Sequence, residues 1–297
     1  MSQYYGNNGP TRGIPFQMLI AGAIVLFGVI SYFSKTSINP ITGEKQHVKL
    51  SPQQEVQLGL QSAPSMAQQM GGEIPDGDPR TEEVRRTGLH VVQNSDAAKA
   101  TQYRFQFHLL ADPKTINAFA LPGGQIFITR GLLDRLSNEA QLAGVLGHES
   151  GHVVARHTSE QLAKTDLMQS LVAAVGVAAS DRDHPGQGYS AQMIASFVAQ
   201  MQQLRYSRAD ESQADELGLK FMSQAGYDPR AMIEVMQILK QASPGSSNSD
   251  SEFMQTHPNP EHRIEDIDVW IKKNYPSGVP SGLTRGGLIG QGVPTRR

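Results

Sequence analysis

The chain has 297 residues, enough for one large domain or two small ones with a sizeable core. Hydrophobic residues make up 38% and charged residues 18%, which excludes a disordered chain, and a formal net charge of -2 without a basic run excludes nucleic-acid binding by bulk electrostatics. No cysteine is present, which excludes disulfides, thiolate metal sites and a cysteine nucleophile.

Residues 1–13 form a polar, Gly/Asn-rich tail. Residues 14–34 follow without a single charge (IPFQMLIAGAIVLFGVISYFS) and predict a membrane anchor, because about twenty apolar residues at ~1.5 Å each match a bilayer core of ~30 Å. A cleaved signal peptide is the competing reading; the apolar run is too long for it and no small-x-small site follows. Arg12 on one side and Lys35, Lys45 and Lys49 on the other leave the orientation open by the positive-inside rule. The absence of cysteine favours the extracytoplasmic, periplasmic side.

Residues 35–50 read as a linker and 51–275 as one folded domain. Ser51 followed by Pro52 predicts a capped helix to about Leu60. Met70–Pro79 reads as a loop and Thr81–Gln93 as a helix, while Tyr103–Leu110 and Gln125–Thr129 read as strands. Asn138, with Gln141 three residues on, opens a long helix. Leu167–Ala179 is a second apolar run, too short to span a bilayer, and predicts a core or membrane-dipping helix. Ser190–Gln224 is helical in pattern throughout and stops at Gly226; a further helix runs from Asp228–Pro229 to about Gln241. Ser243–Ser251 is a flexible linker, Asn259–Lys273 a last helix, and the Gly/Pro-rich residues 276–297 a disordered tail.

The long helix contains His148-Glu-Ser-Gly-His152. Histidines at i and i+4 fall ~40° apart on one helix face, where two imidazoles can chelate one zinc ion. Glu149 stands beside the ion, where a general base must stand to take a proton from water; zinc lowers the pKa of such a water towards ~7. A solvated polar stripe is the bland alternative. Gly144, Gly147, Ser150 and Gly151 are small and let a substrate or a strand come close. A catalytic zinc needs a third protein ligand. His157 lies ~140° round the helix from His152 and so faces elsewhere, as a supporting or structural histidine. Glu211 in Arg205–Gly218 (RYSRADESQADELG) can be the ligand, with Asp215 on the same face fixing a ligand histidine; a solvated acidic face explains the same residues.

Four motifs together resemble the gluzincin metallopeptidases, the family of HtpX, the Oma-type proteases and the CAAX prenyl endopeptidases (family forty-eight of the metallopeptidases). They are Asn117-Ala-Phe-Ala-Leu-Pro-Gly-Gly, His148–His157 (HESGHVVARH), Glu211-Ser-Gln-Ala-Asp215 and Thr256–Arg263 (THPNPEHR), covering about residues 50–270. The resemblance implies a mainly helical α+β, zincin-like fold with a small sheet beside the HExxH helix. It implies His148, His152 and Glu211 as zinc ligands, Asp215 and His157 supporting them, and Glu149 as the base. It implies that His257 points into the cleft, to stabilise an oxyanion or to hold the enzyme latent, and that Arg263 anchors that segment or helps the oxyanion. The Asn117–Thr129 region would supply an edge strand that pairs with an extended peptide, with Asn117, Ala118 and Phe119 as substrate-binding residues.

The prenyl endopeptidases and HtpX carry several membrane helices, whereas this sequence shows one candidate, which argues against a prenylated substrate. The sequence shows no tetratricopeptide array, so no docking module is expected. The resemblance therefore points to a single-anchor zinc endopeptidase acting on unfolded, damaged or misassembled envelope proteins. A chaperone-like protein that holds clients without cutting them is the alternative; it would have no need of Glu149. A serine hydrolase is excluded because in GHESG the serine is misplaced for the nucleophile elbow.

Overall fold

A computed structural model describes residues 16–34, 36–48, 50–167, 190–202, 204–242, 253, 256–257 and 260–290. Helix α1 (Phe16–Ser34) leads into a hairpin of β1 (Thr36–Ile38) and β2 (Lys45–His47). Helices α2 (Pro52–Gln69) and α3 (Pro79–Gln93) follow, then β3 (Gln106–Leu110), β4 (Ala118–Leu121), β5 (Gln125–Thr129) and the short α4 (Arg130–Leu133). Next come α5 (Glu139–Ala155), a helical stretch α6 over 157–167, and α7 (Ser190–Gln202). The last elements are α8 (Arg208–Gln224), α9 (Ala231–Gln241) and α10 (Pro260–Asn274). The architecture is mainly helical with two small sheets, as expected. The apolar run Leu167–Ala179 beyond Leu167 and all of the linker Ser243–Ser251 lie outside the described residues.

The larger sheet has the order β3-β5-β4, with β3 parallel and β4 antiparallel to β5. The outer edge of β3 is covered by Glu73 and Ile74, through a bridge to Leu110 and a 2.8 Å bond from the Ile74 amide to the Leu109 carbonyl. No strand pairs with the outer edge of β4 among the described residues. Every residue of β5 is buried, as suits a central strand with both faces covered.

Helix α5 is the axis of the domain. From Ala140 to Ala155 every residue is buried, against α3, α8, α9 and β4. A helix buried all round must satisfy its polar side chains internally. Gln141 donates to Glu234 at 2.7 Å, and Ser150 donates to the Leu146 carbonyl at 2.7 Å. This excludes the solvated polar stripe.

Both ends of α5 are held by segments expected to stand apart from the domain. At the start, the Glu139 and Ala140 amides donate to the Gly287 and Arg285 carbonyls at 2.9 and 3.0 Å. Residues 276–290 are thus a strap on the domain rather than a disordered tail. At the far end Arg156 adopts the left-handed conformation (φ 61°). There the Asn39 amide donates to the Val154 carbonyl at 2.8 Å, and Gln46 donates to the Ala155 carbonyl. The expected linker 35–50 therefore caps the orphan carbonyls of α5. The Arg156 guanidinium meets the buried Glu55 carboxylate (Nη2 at 2.8 Å) and the Leu50 carbonyl (2.7 Å).

Three other expectations shift. The Ser51 helix has its capping box with Gln54 but runs through Pro64 to Gln69. The expected single helix Ser190–Gln224 is two, parted before Ser207, whose hydroxyl caps α8 in a box with Asp210. Taken over the described residues, no helix is long and apolar enough to cross a membrane. At ~1.5 Å per residue, α1 is ~28 Å long, just under a ~30 Å bilayer core. Residues 14 and 15, which complete the expected span, lie outside the described residues.

Candidate metal centre

The site exists because two helices touch backbone to backbone. A Cβ on Gly147 would lie 3.2 Å from the Gly218 carbonyl oxygen, and one on Gly151 would lie 3.0 Å from the Ala214 carbonyl oxygen. The small residues of α5 admit helix α8, not a strand. That approach sets Glu211, in the first turn of α8, over the histidine face of α5.

His148 Nε2 and His152 Nε2 are 3.0 Å apart. Glu211 Oε2 is 3.7 Å from His148 Nε2, and Glu211 Oε1 is 3.5 Å from His152 Nε2. His257 Nδ1 is 2.8 Å from Glu211 Oε1 and 3.3 Å from His148 Nε2. One atom from each of these four buried residues lies within 4.8 Å of all the others. Ligand bonds of ~2.0–2.1 Å in a tetrahedron put neighbouring donors roughly 3.4 Å apart, so a zinc-sized ion fits this set.

The surroundings orient the set. His148 Nδ1 is 2.9 Å from Asp215 Oδ1, which directs a proton to Nδ1 and leaves the Nε2 lone pair facing inward. Arg263 donates to both oxygens of Asp215, at 2.7 and 2.6 Å, and its Nη1 is 2.8 Å from Glu211 Oε2. Its donors are engaged by the two acids of α8, which makes Arg263 their anchor. Burial pushes the Glu211 and Asp215 carboxyls up, but neighbouring charges outweigh it and hold both below the usual range: His257 and Arg263 for Glu211, Arg263 for Asp215. His157 faces away from the convergence point, with Nδ1 2.9 Å from His152 Nδ1.

Glu149 differs from the other acids. Both of its carboxylate oxygens are buried and have no hydrogen-bond partner. Burial pushes its carboxyl up to about 7, against the pull of His148 and Arg263. His257 Nε2, also buried without a hydrogen-bond partner, is 3.7 Å from Glu149 Oε1. A buried, unsatisfied carboxylate beside residues that could hold a metal ion is able to accept a proton.

Asn117, Ala118 and Phe119 lie at the start of β4, the open edge. Asn117 is buried, with Oδ1 unpartnered, and Phe119 stacks on Phe127 with centroids 4.9 Å apart. The Ile116 carbonyl accepts the Phe253 amide at 3.2 Å, and the Phe253 ring stacks on His257 at 4.3 Å. The segment bearing His257 is thus tied to the root of this edge.

Tyr206 was not singled out in the sequence. Its ring stacks on His152 at 3.9 Å, its hydroxyl is 2.9 Å from Thr158 Oγ1, and its amide donates to the Thr256 carbonyl at 3.2 Å. Its only local signal is an aromatic residue just before the Ser207 cap.

Comparison with known proteins agrees with this geometry. The model of peptidase family M48 matches residues 78–271, which contain all the site residues named above. The mitochondrial metalloendopeptidase OMA1 of Schizosaccharomyces pombe is 31% identical over 254 residues, 85% of this chain and 71% of that protein. The beta-barrel assembly-enhancing protease of Escherichia coli K12 is 29% identical over 247 residues, 82% of this chain but only 49% of that protein. Human mitochondrial OMA1 is 29% identical, matched over 83% of this chain and 48% of its own length. The chain belongs to peptidase family M48 and is a metalloendopeptidase.

Proposed function

We propose that the protein is a membrane-anchored zinc endopeptidase that hydrolyses peptide bonds of damaged or misassembled envelope proteins. The observation that carries this reading is the buried convergence of His148, His152 and Glu211 beside the unpartnered Glu149 carboxylate. Those three residues would hold the ion. Bound there, zinc supplies Lewis-acid charge that acidifies water and polarises a carbonyl. Glu149 takes the proton of the attacking water and hands it to the leaving amine. The open edge of β4, with Asn117, Ala118 and Phe119, pairs with an extended substrate backbone, so binding is led by main-chain hydrogen bonds. Asp215 and His157 orient the two imidazoles, and Arg263 fixes both acids of α8. His257, hydrogen-bonded to Glu211 at 2.8 Å, would be a further ligand to the ion and would hold the site latent.

The membrane part of the proposal rests on α1. It carries no charge, and its apolar side chains stand free, with Phe16 68%, Leu26 60% and Phe27 75% exposed. Such a surface is unstable in water at ~25 cal/mol per Å² of apolar area. With residues 14 and 15 it supplies the anchor, and we place the catalytic domain on the extracytoplasmic side. The Escherichia coli relative is named for enhancing beta-barrel assembly, which supports the substrate class.

The test is zinc content and casein cleavage by the full-length protein, as wild type, Glu149→Gln and His257→Ala. The reading expects zinc in all three, no cleavage by Glu149→Gln and faster cleavage by His257→Ala. Casein cleavage by Glu149→Gln at the wild-type rate would overturn the mechanism. Zinc with no cleavage even after His257→Ala would favour a client-holding protein.

A further inference from the structure

The two histidines of α5 are held from behind in unequal ways. His148 Nδ1 faces Asp215, a carboxylate anchored by Arg263, at 2.9 Å. A carboxylate only accepts, so this shorter contact favours a proton on His148 Nδ1 over acceptance from Arg263 Nη2, which lies 3.3 Å away. His152 Nδ1 instead faces a second imidazole nitrogen, His157 Nδ1, at 2.9 Å. His157 Nε2 in turn is 2.8 Å from Gln213 Oε1.

Two facing Nδ1 atoms share one proton. For His152 to offer the Nε2 lone pair to an ion, its proton must sit on Nδ1 and be donated to His157. His157 then carries its own proton on Nε2 and needs an acceptor, which Gln213 Oε1 supplies. With the Gln213 amide reversed, its NH2 would donate to His157 Nε2. His157 would then donate from Nδ1 to His152, and His152 would carry its proton on Nε2, the ligand atom. A carboxamide has one accepting and one donating end, so Gln213 is where the relay can turn. Gln213 is half-buried on α8 and lines a cavity of about 590 Å³ with Glu216, Lys220 and Trp270. The amide therefore has room that the Asp215 carboxylate lacks.

We infer that Gln213 is a positioning residue: through His157 it sets the tautomer of His152, and with it the availability of Nε2 to a metal. The inference rests on the reading of His152 as a ligand. The experiment uses full-length protein in detergent, stripped of metal. Zinc is titrated against a competing chelator, and 15N-histidine spectra report which ring nitrogen carries the proton. Gln213→Leu removes the acceptor and weakens zinc binding about tenfold. Gln213→Glu, an acceptor only, binds zinc at least as tightly as wild type and shows His152 with its proton on Nδ1 in the metal-free protein. Melting curves show that both variants are folded. If both bind zinc within about twofold of wild type and the His152 spectrum is unchanged, Gln213 does not set the tautomer. If His152→Ala leaves zinc affinity intact, His152 is no ligand, and the inference falls with that reading.

Discussion

Gly218 of α8 lies against His148 of α5 so closely that a Cβ at Gly218 would come within 2.8 Å of the His148 backbone nitrogen. Backbone cannot give way as a flexible side chain can. Gly218→Ala must part the helices and draw Glu211 away from the histidines. We expect a loss of about 1–3 kcal/mol in stability, as for overpacked cores, together with weaker metal binding. Urea unfolding and zinc competition measure the two; a protein unchanged in both would show that the contact is not needed.

Glu149 gives a pH signature in the metal-free protein. Burial raises its carboxyl to about 7 in the folded state from an ordinary 4.5. The folded state thus binds its proton more tightly than the unfolded chain does. This contribution to stability is full below the ordinary value and is lost as pH rises through about 7. The gap corresponds to about 3 kcal/mol at most. Glu149→Gln, neutral at every pH, should melt higher than wild type at about pH 8 and show a flatter pH dependence, while its peptidase rate falls ~100-fold or more. An identical melting profile for both proteins would contradict this account.

The Tyr206 ring and hydroxyl are separable. Tyr206→Phe keeps the stack on His152 and loses the bond to Thr158, at a cost of about 1 kcal/mol in stability with metal affinity retained. Tyr206→Leu loses the stack as well and should weaken metal binding. Equal zinc affinity in the two variants would deny the ring a part in holding His152.

Arg156 and Glu55 form a buried pair, with Ser159 and Tyr103 also bonded to the carboxylate, the latter at 2.6 Å. Arg156→Ala leaves Glu55 buried and uncompensated, and should cost about 3–5 kcal/mol. Adding Glu55→Gln should recover part of that loss. If the double variant is the sum of the singles, the pair is not coupled.

How much of this could be read from the sequence follows the range of each signal. The i, i+4 histidines, the Asn138 cap and the β5 run are local patterns, and they lie where their spacing put them. The break before Ser207 carried a signal of its own, Ser207 with Asp210 three residues on, but it stands between two segments that are each helical in pattern. Tyr206 and Gln213 act on His152 across the α5–α8 contact, which no local period encodes. The strap 276–290 is rich in glycine and proline, the composition of a tail. Its role is played by backbone carbonyls, which every residue has, so composition does not report it.

The capping of α5 has a consequence for the order of assembly. The Asn39 bond to Val154 joins residues 115 apart, and the other end of the helix waits on Arg285 and Gly287. Contacts that distant form late, because loop-closure entropy is spent before they stabilise anything. The helix that carries His148, Glu149 and His152 is therefore secured only when most of the chain is already in place. An incomplete copy of the chain lacks the carbonyls of Arg285 and Gly287 that hold the start of α5.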